Sequence, residues 1–331
     1  MNIFDCTLRD GGNVLGCGFT KELTISIIKG LIDCGITEIE FGNSHGIGAY
    51  KNPKNKTFCT DEEYLEAVQP FVGKAHLGMF CDFKNATPEN CKLAKDAGLD
   101  FLRVGQNAGD GAKSVEAVKN VKAAGLTCRY SQKKAYVCTP EELAADSKIV
   151  VDAGVDKITI MDSAGYMFPK DAADYVKTLK AALPGTVIGF HGHSNLGMSQ
   201  ANAVAAVEAG VDEVDGGLLG MARSAGNCST ELAVATMHRL GLLQDVDLYK
   251  LLDYEDNELI PMMKPYGYHV AVTPEELVLG FSGCHSHFLK LFKNVAAANN
   301  VPLYKLIIET SKINKKNPSE DLINEVAGKL K

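Results

Sequence analysis

Two patterns of hydrophobic residues alternate along the chain from residue 2 to about residue 240. Short runs of apolar and β-branched residues predict strands. The longer stretches between them repeat apolar residues every three or four positions and predict amphipathic helices. The predicted strands are eight segments: 3–7, 38–42, 75–80, 101–104, 127–131, 157–161, 187–191 and 213–216.

Glycine and threonine mark where the predicted helices end and begin. A glycine stands between each of several helical stretches and the next strand, where it supplies the left-handed conformation that ends a helix. Threonine precedes proline or acidic residues at other helices, which is typical of an N-cap. The glycines are Gly35, Gly98, Gly125, Gly154 and Gly210, and the threonines are Thr60, Thr87 and Thr139.

Strands that alternate with single helices predict parallel pairing through right-handed crossovers. Eight such units predict an α/β fold, a (β/α)8 TIM barrel, over residues 1–241. A doubly wound open sheet is the alternative, but no GxGxxG motif follows the first predicted strand. From residue 242 the pattern becomes helical. Residues 242–331 are expected to form a C-terminal helical appendage that contributes to the barrel mouth and to oligomer contacts.

Composition narrows the classes of function. The net charge of −7 argues against a nucleic-acid partner, which would require a basic surface. No apolar run approaches the roughly 18 residues of a membrane span, so no membrane association is expected. The ten cysteines are scattered and include no CxxC pair. This pattern indicates reduced thiols and a cytoplasmic protein rather than a disulfide framework.

The active site of a (β/α)8 barrel lies at the carboxyl ends of its strands. Polar side chains concentrate at those positions, and a structural protein would have little reason to gather them on one face. Asp215, near the end of the eighth strand, is as well suited to hold a turn as to serve chemistry. The other residues at this rim are Arg9, Asp10, Glu40, Asn43, Gln132, Asp162, Ser163, His191 and His193.

The spacing of His191 and His193 predicts a metal site. Residues i and i+2 of a strand point to the same face, so both imidazoles would aim at one point. Asp10, after the first strand, is a candidate third ligand. Two imidazoles and one oxygen suit Mn²⁺, Co²⁺, Fe²⁺ or Zn²⁺, and Mg²⁺ less well. From the spacing alone, an accident of strand alternation remains the alternative.

Several motifs together identify a family resemblance. They are TLRDG at 7–11, MDSAG at 161–165, HGHSNLG at 191–197, GGLLGMARSAGN at 216–227 and LGFSGCHSHFL at 279–289. With these motifs the chain resembles the DRE-TIM metallolyase superfamily of TIM barrels, which includes the 3-hydroxy-3-methylglutaryl-CoA (HMG-CoA) lyases. Within it, the chain is most similar to the 4-hydroxy-2-oxovalerate aldolases over nearly its whole length.

The resemblance implies a metal-dependent class II aldolase. Such an enzyme cleaves or forms a carbon–carbon bond of a 4-hydroxy-2-oxo acid through a pyruvate enolate. Asp10, His191 and His193 match the family's metal ligands, and Asn227 matches a ligand position of the HMG-CoA lyases. The expected cofactor is a divalent cation, with Mn²⁺ favoured and Mg²⁺, Co²⁺ or Zn²⁺ as alternatives.

Arg9 matches the arginine that holds the 2-oxo acid and stabilises its enolate, and Ser163 matches a residue near the substrate carboxylate. Glu40 and Asn13 are further candidates for substrate binding. Asn13 stands where the aldolases have a histidine that acts in acid–base catalysis. The general base is therefore expected to be His285, His45 or a water on the metal.

Two other functions remain open at this point. One is an acyl-CoA lyase or condensing enzyme of the HMG-CoA lyase or isopropylmalate synthase type, and the other is a non-catalytic barrel scaffold. The aldolase interpretation implies a small 2-oxo acid and an aldehyde as substrates. It further predicts a homodimer, with an aldehyde dehydrogenase as a possible partner of the C-terminal region.

Overall fold

Eight parallel strands form a closed barrel in sequence order in the computed structural model, which describes residues 1–55, 57–268, 274–282, 284, 288–314 and 317–331. β8 pairs with β1, with Asn2 opposite Glu213, and this pairing closes the sheet. The predicted (β/α)8 barrel is therefore confirmed. The strands are β1 Asn2–Asp5, β2 Glu38–Phe41, β3 His76–Asp82, β4 Phe101–Asn107, β5 Thr127–Lys133, β6 Lys157–Asp162, β7 Val187–Gly192 and β8 Glu213–Gly216.

The first strand ends earlier than predicted. β1 stops at Asp5, whose carboxylate accepts a hydrogen bond from the backbone N–H of Thr7 at 2.9 Å. The backbone N–H groups of Arg9 and Asp10 then bond to the carbonyl of Cys6. The strand-like segment expected to extend to Thr7 is thus a tight turn at its end, and this turn carries Arg9 and Asp10.

Fourteen α-helices lie in the part of the chain that the structure describes. The side chains of Thr60, Thr87 and Thr139 each accept a hydrogen bond from the backbone N–H of the third residue in the helix that follows, as predicted for N-caps. The helices are α1 Lys21–Asp33, α2 Asp61–Val68, α3 Pro88–Asp96, α4 Val115–Ala123, α5 Pro140–Asp152, α6 Pro169–Ala182, α7 Ser199–Glu208, α8 Thr230–Arg239, α9 Leu248–Tyr254, α10 Ile260–Met263, α11 Pro274–Ser282, α12 Leu289–Asn299, α13 Leu303–Ile313 and α14 Glu320–Lys329.

The interior of the barrel is charged as well as apolar. Arg129 on β5 forms ion pairs with Glu38 and Glu213, and its guanidinium lies 3.9 Å from the ring centroid of Phe4. All four side chains are at least nine-tenths buried. Buried charges are tolerated only when they are paired, and Arg129 is paired with two carboxylates. The cluster therefore forms part of the barrel interior.

The C-terminal helices pack against the barrel from the side of β8. The hydroxyl of Tyr268 donates a hydrogen bond to the carbonyl of Leu219 at 2.7 Å, and so joins the C-terminal region to the loop that follows β8. The hydroxyls of Tyr254 on α9 and Ser26 on α1 lie 3.2 Å apart, within hydrogen-bond distance. No helix among the described residues is both long enough and apolar enough to cross a membrane.

Candidate metal centre and active site

Asp10, His191 and His193 converge on one point at the carboxyl end of the barrel. Oδ2 of Asp10 lies 3.5 Å from Nε2 of His191 and 3.6 Å from Nε2 of His193, and the two Nε2 atoms are 3.3 Å apart. All three residues are buried. His191 is on β7, which ends at Gly192, and His193 continues in an isolated β-bridge. Side chains alternate along such an extended segment, so both rings lie on the same side.

Asn227 completes this group from the loop between β8 and α8. Its Nδ2 donates to Oδ2 of Asp10 at 3.0 Å, and its backbone forms a β-bridge with His193. Its Oδ1 is buried and has no hydrogen-bond partner among the described residues. A buried acceptor without a partner is costly, and a cation would satisfy it. Two imidazoles, a carboxylate and an amide oxygen therefore form a donor set that fits a divalent metal ion.

Asp215 and Arg103 orient His191 from behind. Oδ2 of Asp215 lies 3.1 Å from Nδ1 of His191 and accepts a hydrogen bond from Arg103. A carboxylate on the far nitrogen of an imidazole fixes the ring so that Nε2 is available as a ligand. The thiol of Cys6 lies 4.0 Å from the same Nδ1. Sequence reasoning left the role of Asp215 open and did not identify Arg103, although an arginine inside an apolar strand was a usable signal.

The electrostatics of Asp10 and His193 suit metal binding, whereas His191 has to lose a proton first. Burial would lower the pKa of His191, but hydrogen bonds to Asp10 and Asp215 raise it well above its usual value, so metal binding releases that proton. Burial alone would raise the pKa of Asp10, but Arg9 and the two histidines hold it well below its usual range. The carboxylate therefore stays ionised. Burial and the neighbouring His191 lower the pKa of His193 to about 4, so its imidazole is neutral and can act as a ligand.

Arg9 lies beside the ligands and is held on three sides. Its Nε donates to Oε2 of Glu40 at 2.6 Å, its Nη1 lies 2.9 Å from Oδ1 of Asp10, and its guanidinium lies 5.1 Å from the centroid of the Phe80 ring. Its Nη2 is buried without a hydrogen-bond partner among the described residues. Glu40 itself is fully buried between Arg9 and Arg103.

A cavity of about 870 Å³ opens above Arg9, Asp10 and His193. His45 and Ser163, which were predicted as a base and a substrate-binding residue, line this cavity. Oγ of Ser163 accepts a hydrogen bond from the backbone N–H of Lys134 at 2.8 Å. The sequence-predicted residues of strands 1, 2, 6 and 7 are thus brought to one side of the barrel.

Asn13 holds Asp10 in place. Its Nδ2 donates to the backbone carbonyl of Asp10 at 2.8 Å and to Oδ1 of Asp10 at 3.2 Å. Its Oδ1 accepts from Nε of Arg223 at 2.8 Å, and Nη2 of Arg223 lies 3.5 Å from Nε2 of His45. Asn13 is therefore joined through Arg223 to His45, a link that sequence reasoning did not foresee.

The other predicted base, His285, lies outside the described residues. Sequence reasoning also missed the lysines of the cavity wall. They lie in the loops after β2 and β3, at the end of β5 and directly after it. These segments surround the mouth of such a barrel. The lysines are Lys51, Lys84, Lys133 and Lys134.

The chain is similar to proteins of known family. Residues 1–257 match the family model described as HMGL-like. Over 328 residues, the chain is 31% identical to the 4-hydroxy-2-oxovalerate aldolase of Pseudoalteromonas translucida (strain TAC 125), covering 99% of this chain and 94% of the relative. It is 32% identical to 4-hydroxy-2-oxovalerate aldolase 4 of Paraburkholderia xenovorans (strain LB400), with the same coverage.

The fold has relatives among solved structures. The crystal structure of the Bacillus subtilis HMG-CoA lyase superposes with a TM-score of 0.67 at 18% sequence identity, covering 82% of this chain and 95% of that chain. At this identity the likeness concerns the fold, and it agrees with the closed barrel described above.

Proposed function

The chain belongs to the HMGL-like family, and on that premise we propose that it is a metal-dependent class II aldolase. It cleaves or forms a carbon–carbon bond of a 4-hydroxy-2-oxo acid through a pyruvate enolate. One observation carries this proposal: Asp10, His191 and His193 converge beside Nη2 of Arg9, which has no hydrogen-bond partner among the described residues. The name 4-hydroxy-2-oxovalerate aldolase, borne by the relatives, agrees with this activity.

Asp10, His191, His193 and Asn227 would hold the divalent metal ion. Mn²⁺ is favoured because the site mixes imidazole nitrogens with oxygen donors, and Co²⁺, Zn²⁺ or Mg²⁺ are the alternatives. When bound, the ion supplies Lewis-acid stabilisation for the negative charge that develops on the 2-oxo acid.

Arg9 binds the oxygen that becomes negatively charged in the enolate. Its Nη2 has no hydrogen-bond acceptor among the described residues. A fixed donor of this kind stabilises a developing oxyanion. Glu40 positions Arg9 through the 2.6 Å contact at Nε and does not itself need to reach the substrate. Ser163 has its hydroxyl hydrogen available for the substrate carboxylate, because its oxygen already accepts from Lys134.

His45 takes the proton from the 4-hydroxyl during cleavage and returns it during addition. Burial, and then the charges of Arg223 and Arg9, lower the pKa of His45, so its neutral, basic form dominates at pH 7. Asn13 has no titratable group and serves to fix Asp10 and Arg223. His285 is the rival base.

The proposal is tested by retro-aldol cleavage of 4-hydroxy-2-oxovalerate, with pyruvate measured by a coupled lactate dehydrogenase assay. The protein is first treated with a chelator and then supplied with Mn²⁺. The aldolase proposal expects pyruvate only after metal is restored. Cleavage of HMG-CoA without cleavage of the oxo acid would replace it with the acyl-CoA lyase alternative. Inactivity on both substrates would favour a scaffold.

The chain's associations belong to the same proposal. We expect a homodimer formed through the C-terminal helices, on which Ile313 is a large apolar residue exposed to 62%. An aldehyde dehydrogenase is the alternative partner of that region. A cytoplasmic location is in keeping with the free thiols of the barrel cysteines. Light scattering on the purified protein tests the dimer, and a clean monomer would reject it.

A further inference from the structure

The wall of the cavity above the metal ligands is strongly cationic. Six cationic side chains line it and only two carboxylates, Asp10 and Asp82, oppose them. This balance contrasts with the whole chain, whose net charge is −7. The cations are Arg9, Lys51, Lys84, Lys133, Lys134 and Arg223.

Most of these charges form no ion pair with a carboxylate of the described residues. Lys133 lies 3.3 Å from Asp82, and Arg9 is paired with Asp10 and Glu40. In the described part of the chain, Lys51, Lys84 and Lys134 have no carboxylate within 4.0 Å, and Arg223 contacts only the neutral Asn13 and His45. Cations that share one concave surface repel each other, so an anion bound among them would be favoured.

A buried hydroxyl in the same wall also lacks a partner. Ser44 is 4% exposed, lines the cavity, and its Oγ has no hydrogen-bond partner among the described residues. It lies next to His45, whose pKa is lowered by burial and by the charges of Arg223, Arg9 and Lys133. An unsatisfied hydroxyl within a positive field is a ready donor to an anionic oxygen.

The size of the cavity leaves room for a second substrate that is not small. A volume of about 870 Å³ falls near the upper end of ordinary ligand pockets, which span roughly 300–1,000 Å³. Arg9, Asp10 and His193 come from the ends of β1 and β7, whereas the lysines come from the end of β5 and from the loops after β2, β3 and β5. If the 2-oxo acid binds at the metal ligands, the lysines of the wall remain available to the aldehyde.

We infer that the acceptor aldehyde carries an anionic group, a phosphate monoester or a carboxylate, which binds Lys51, Lys84, Lys134 and Ser44. This inference rests on the proposed aldol reaction. In that reaction the methyl carbon of pyruvate loses a proton and bonds to the aldehyde carbon. The aldehyde oxygen takes up a proton and becomes the 4-hydroxyl. The anionic group takes no part in bond formation and determines which aldehyde is held.

Matched pairs of aldehydes test this inference in the metal-loaded enzyme. D-Glyceraldehyde 3-phosphate is compared with D-glyceraldehyde, and succinic semialdehyde is compared with butanal, as acceptors for pyruvate. We expect the charged member of one pair to be preferred in kcat/KM by about tenfold or more, because each exposed ion pair contributes modestly. The preference should decrease as KCl is raised. The pair of aldehydes in which the charged member is preferred shows whether the anionic group is a phosphate or a carboxylate.

A triple variant, Lys51→Gln/Lys84→Gln/Lys134→Gln, locates the interaction. We expect about a tenfold higher KM for the preferred anionic aldehyde, since three favourable contacts are lost. Turnover of the neutral aldehyde, and pyruvate methyl proton exchange without aldehyde, should stay within about twofold of wild type, since neither needs an anion site. The control Lys92→Gln/Lys148→Gln/Lys170→Gln removes the same charge from outer helices, where each lysine pairs with an aspartate, and should change none of these values.

The outcomes separate this inference from the aldolase proposal. If pyruvate exchanges and neutral aldehydes react as well as charged ones, the inference is wrong and the aldolase proposal stands. The inference is equally wrong if the triple variant slows both kinds of aldehyde alike, or if the control triple matches it. If pyruvate does not exchange and no aldehyde reacts, the aldolase proposal fails and the inference fails with it.

Discussion

Arg9 in the turn after β1 and Glu40 on the neighbouring β2 form a buried ion pair, with 2.6 Å between Nε and Oε2. The same carboxylate also accepts hydrogen bonds from Arg103. Glu40 thereby ties the turn after β1 to β4. It also directs the guanidinium of Arg9 so that no described residue accepts a hydrogen bond from Nη2. This geometry depends on the planar guanidinium of an arginine, which a lysine does not have.

Arg9→Lys should lower kcat for retro-aldol cleavage by about 10²-fold or more, although the charge is kept. An ammonium group cannot contact Glu40, Asp10 and a substrate oxygen with the fixed geometry of a guanidinium. We expect kcat to fall more than KM rises, because the interaction matters most in the transition state. Steady-state kinetics with saturating Mn²⁺ measure both values. An unchanged kcat would show that Arg9 only supports the barrel rim.

Asp215→Asn should weaken Mn²⁺ binding by about 10–100-fold, the usual effect of removing a partner that orients a ligand. Asp215 contacts Nδ1 of His191 at 3.1 Å, and an amide would no longer fix that ring electrostatically. Isothermal titration with Mn²⁺ measures the change. The control is Asp146→Asn, which alters a carboxylate that binds the backbone of Gly109 and Gly111 away from the ligands. Equal affinities in the two variants would refute the orienting role.

His45→Gln should lower retro-aldol kcat by about 10²–10⁴-fold, as expected for the loss of a general base. The pKa of His45 is lowered from 6.5, so wild-type kcat/KM should be flat near pH 7 and decline only below about pH 6.5. The acid limb should disappear in the variant. His285→Gln is measured in parallel with circular dichroism as a folding check. Full activity in His45→Gln together with its loss in His285→Gln would transfer the role to His285.

Two buried carboxyl groups should make the protein less stable as pH rises. Glu231 and Glu255 are both buried, and burial raises the pKa of Glu231 to about 7; burial, together with the nearby charge of Glu231, raises the pKa of Glu255 well above its usual value of 4.5. Between about pH 4.5 and 7 the folded state therefore binds more protons than the unfolded state, so the free energy of unfolding falls with pH.

Thermal unfolding at pH 5 and pH 8 tests this expectation. The wild-type Tm should be lower at pH 8, and Glu255→Gln should reduce the difference because the amide stays neutral at both values. The exposed substitution Glu325→Gln serves as the control and should leave the difference as it is in wild type. An undiminished difference in Glu255→Gln would show that other groups cause the pH dependence.

The elements and the pairing of His191 with His193 could be predicted because they depend on short-range periodicity. His191 is on β7 and His193 follows its last residue, so the alternation of side chains along an extended segment brings their rings together. Asp10 joins them because parallel strands in a closed barrel all end on one side. The early end of β1 was not predicted, because it depends on the local hydrogen bond between Asp5 and Thr7.

The supports of the site could not be predicted because they depend on register. Arg103 on β4 meets Glu40 on β2 and Asp215 on β8 only once the barrel is closed. The cationic wall was missed for a related reason. Lys51, Lys84 and Lys134 come from three separate loops, and loop conformation leaves no periodic signal in a sequence.

The most direct test of the account is metal-dependent exchange of the pyruvate methyl protons, followed by NMR in D₂O without any aldehyde. This measurement detects enolate formation itself and is independent of the second substrate and of its charge. We predict exchange with wild-type protein and Mn²⁺, none after chelation, and none with His191→Ala/His193→Ala, in which Mn²⁺ binding is also lost. Exchange at the wild-type rate in the double variant, or none in the wild type with Mn²⁺, would contradict the account.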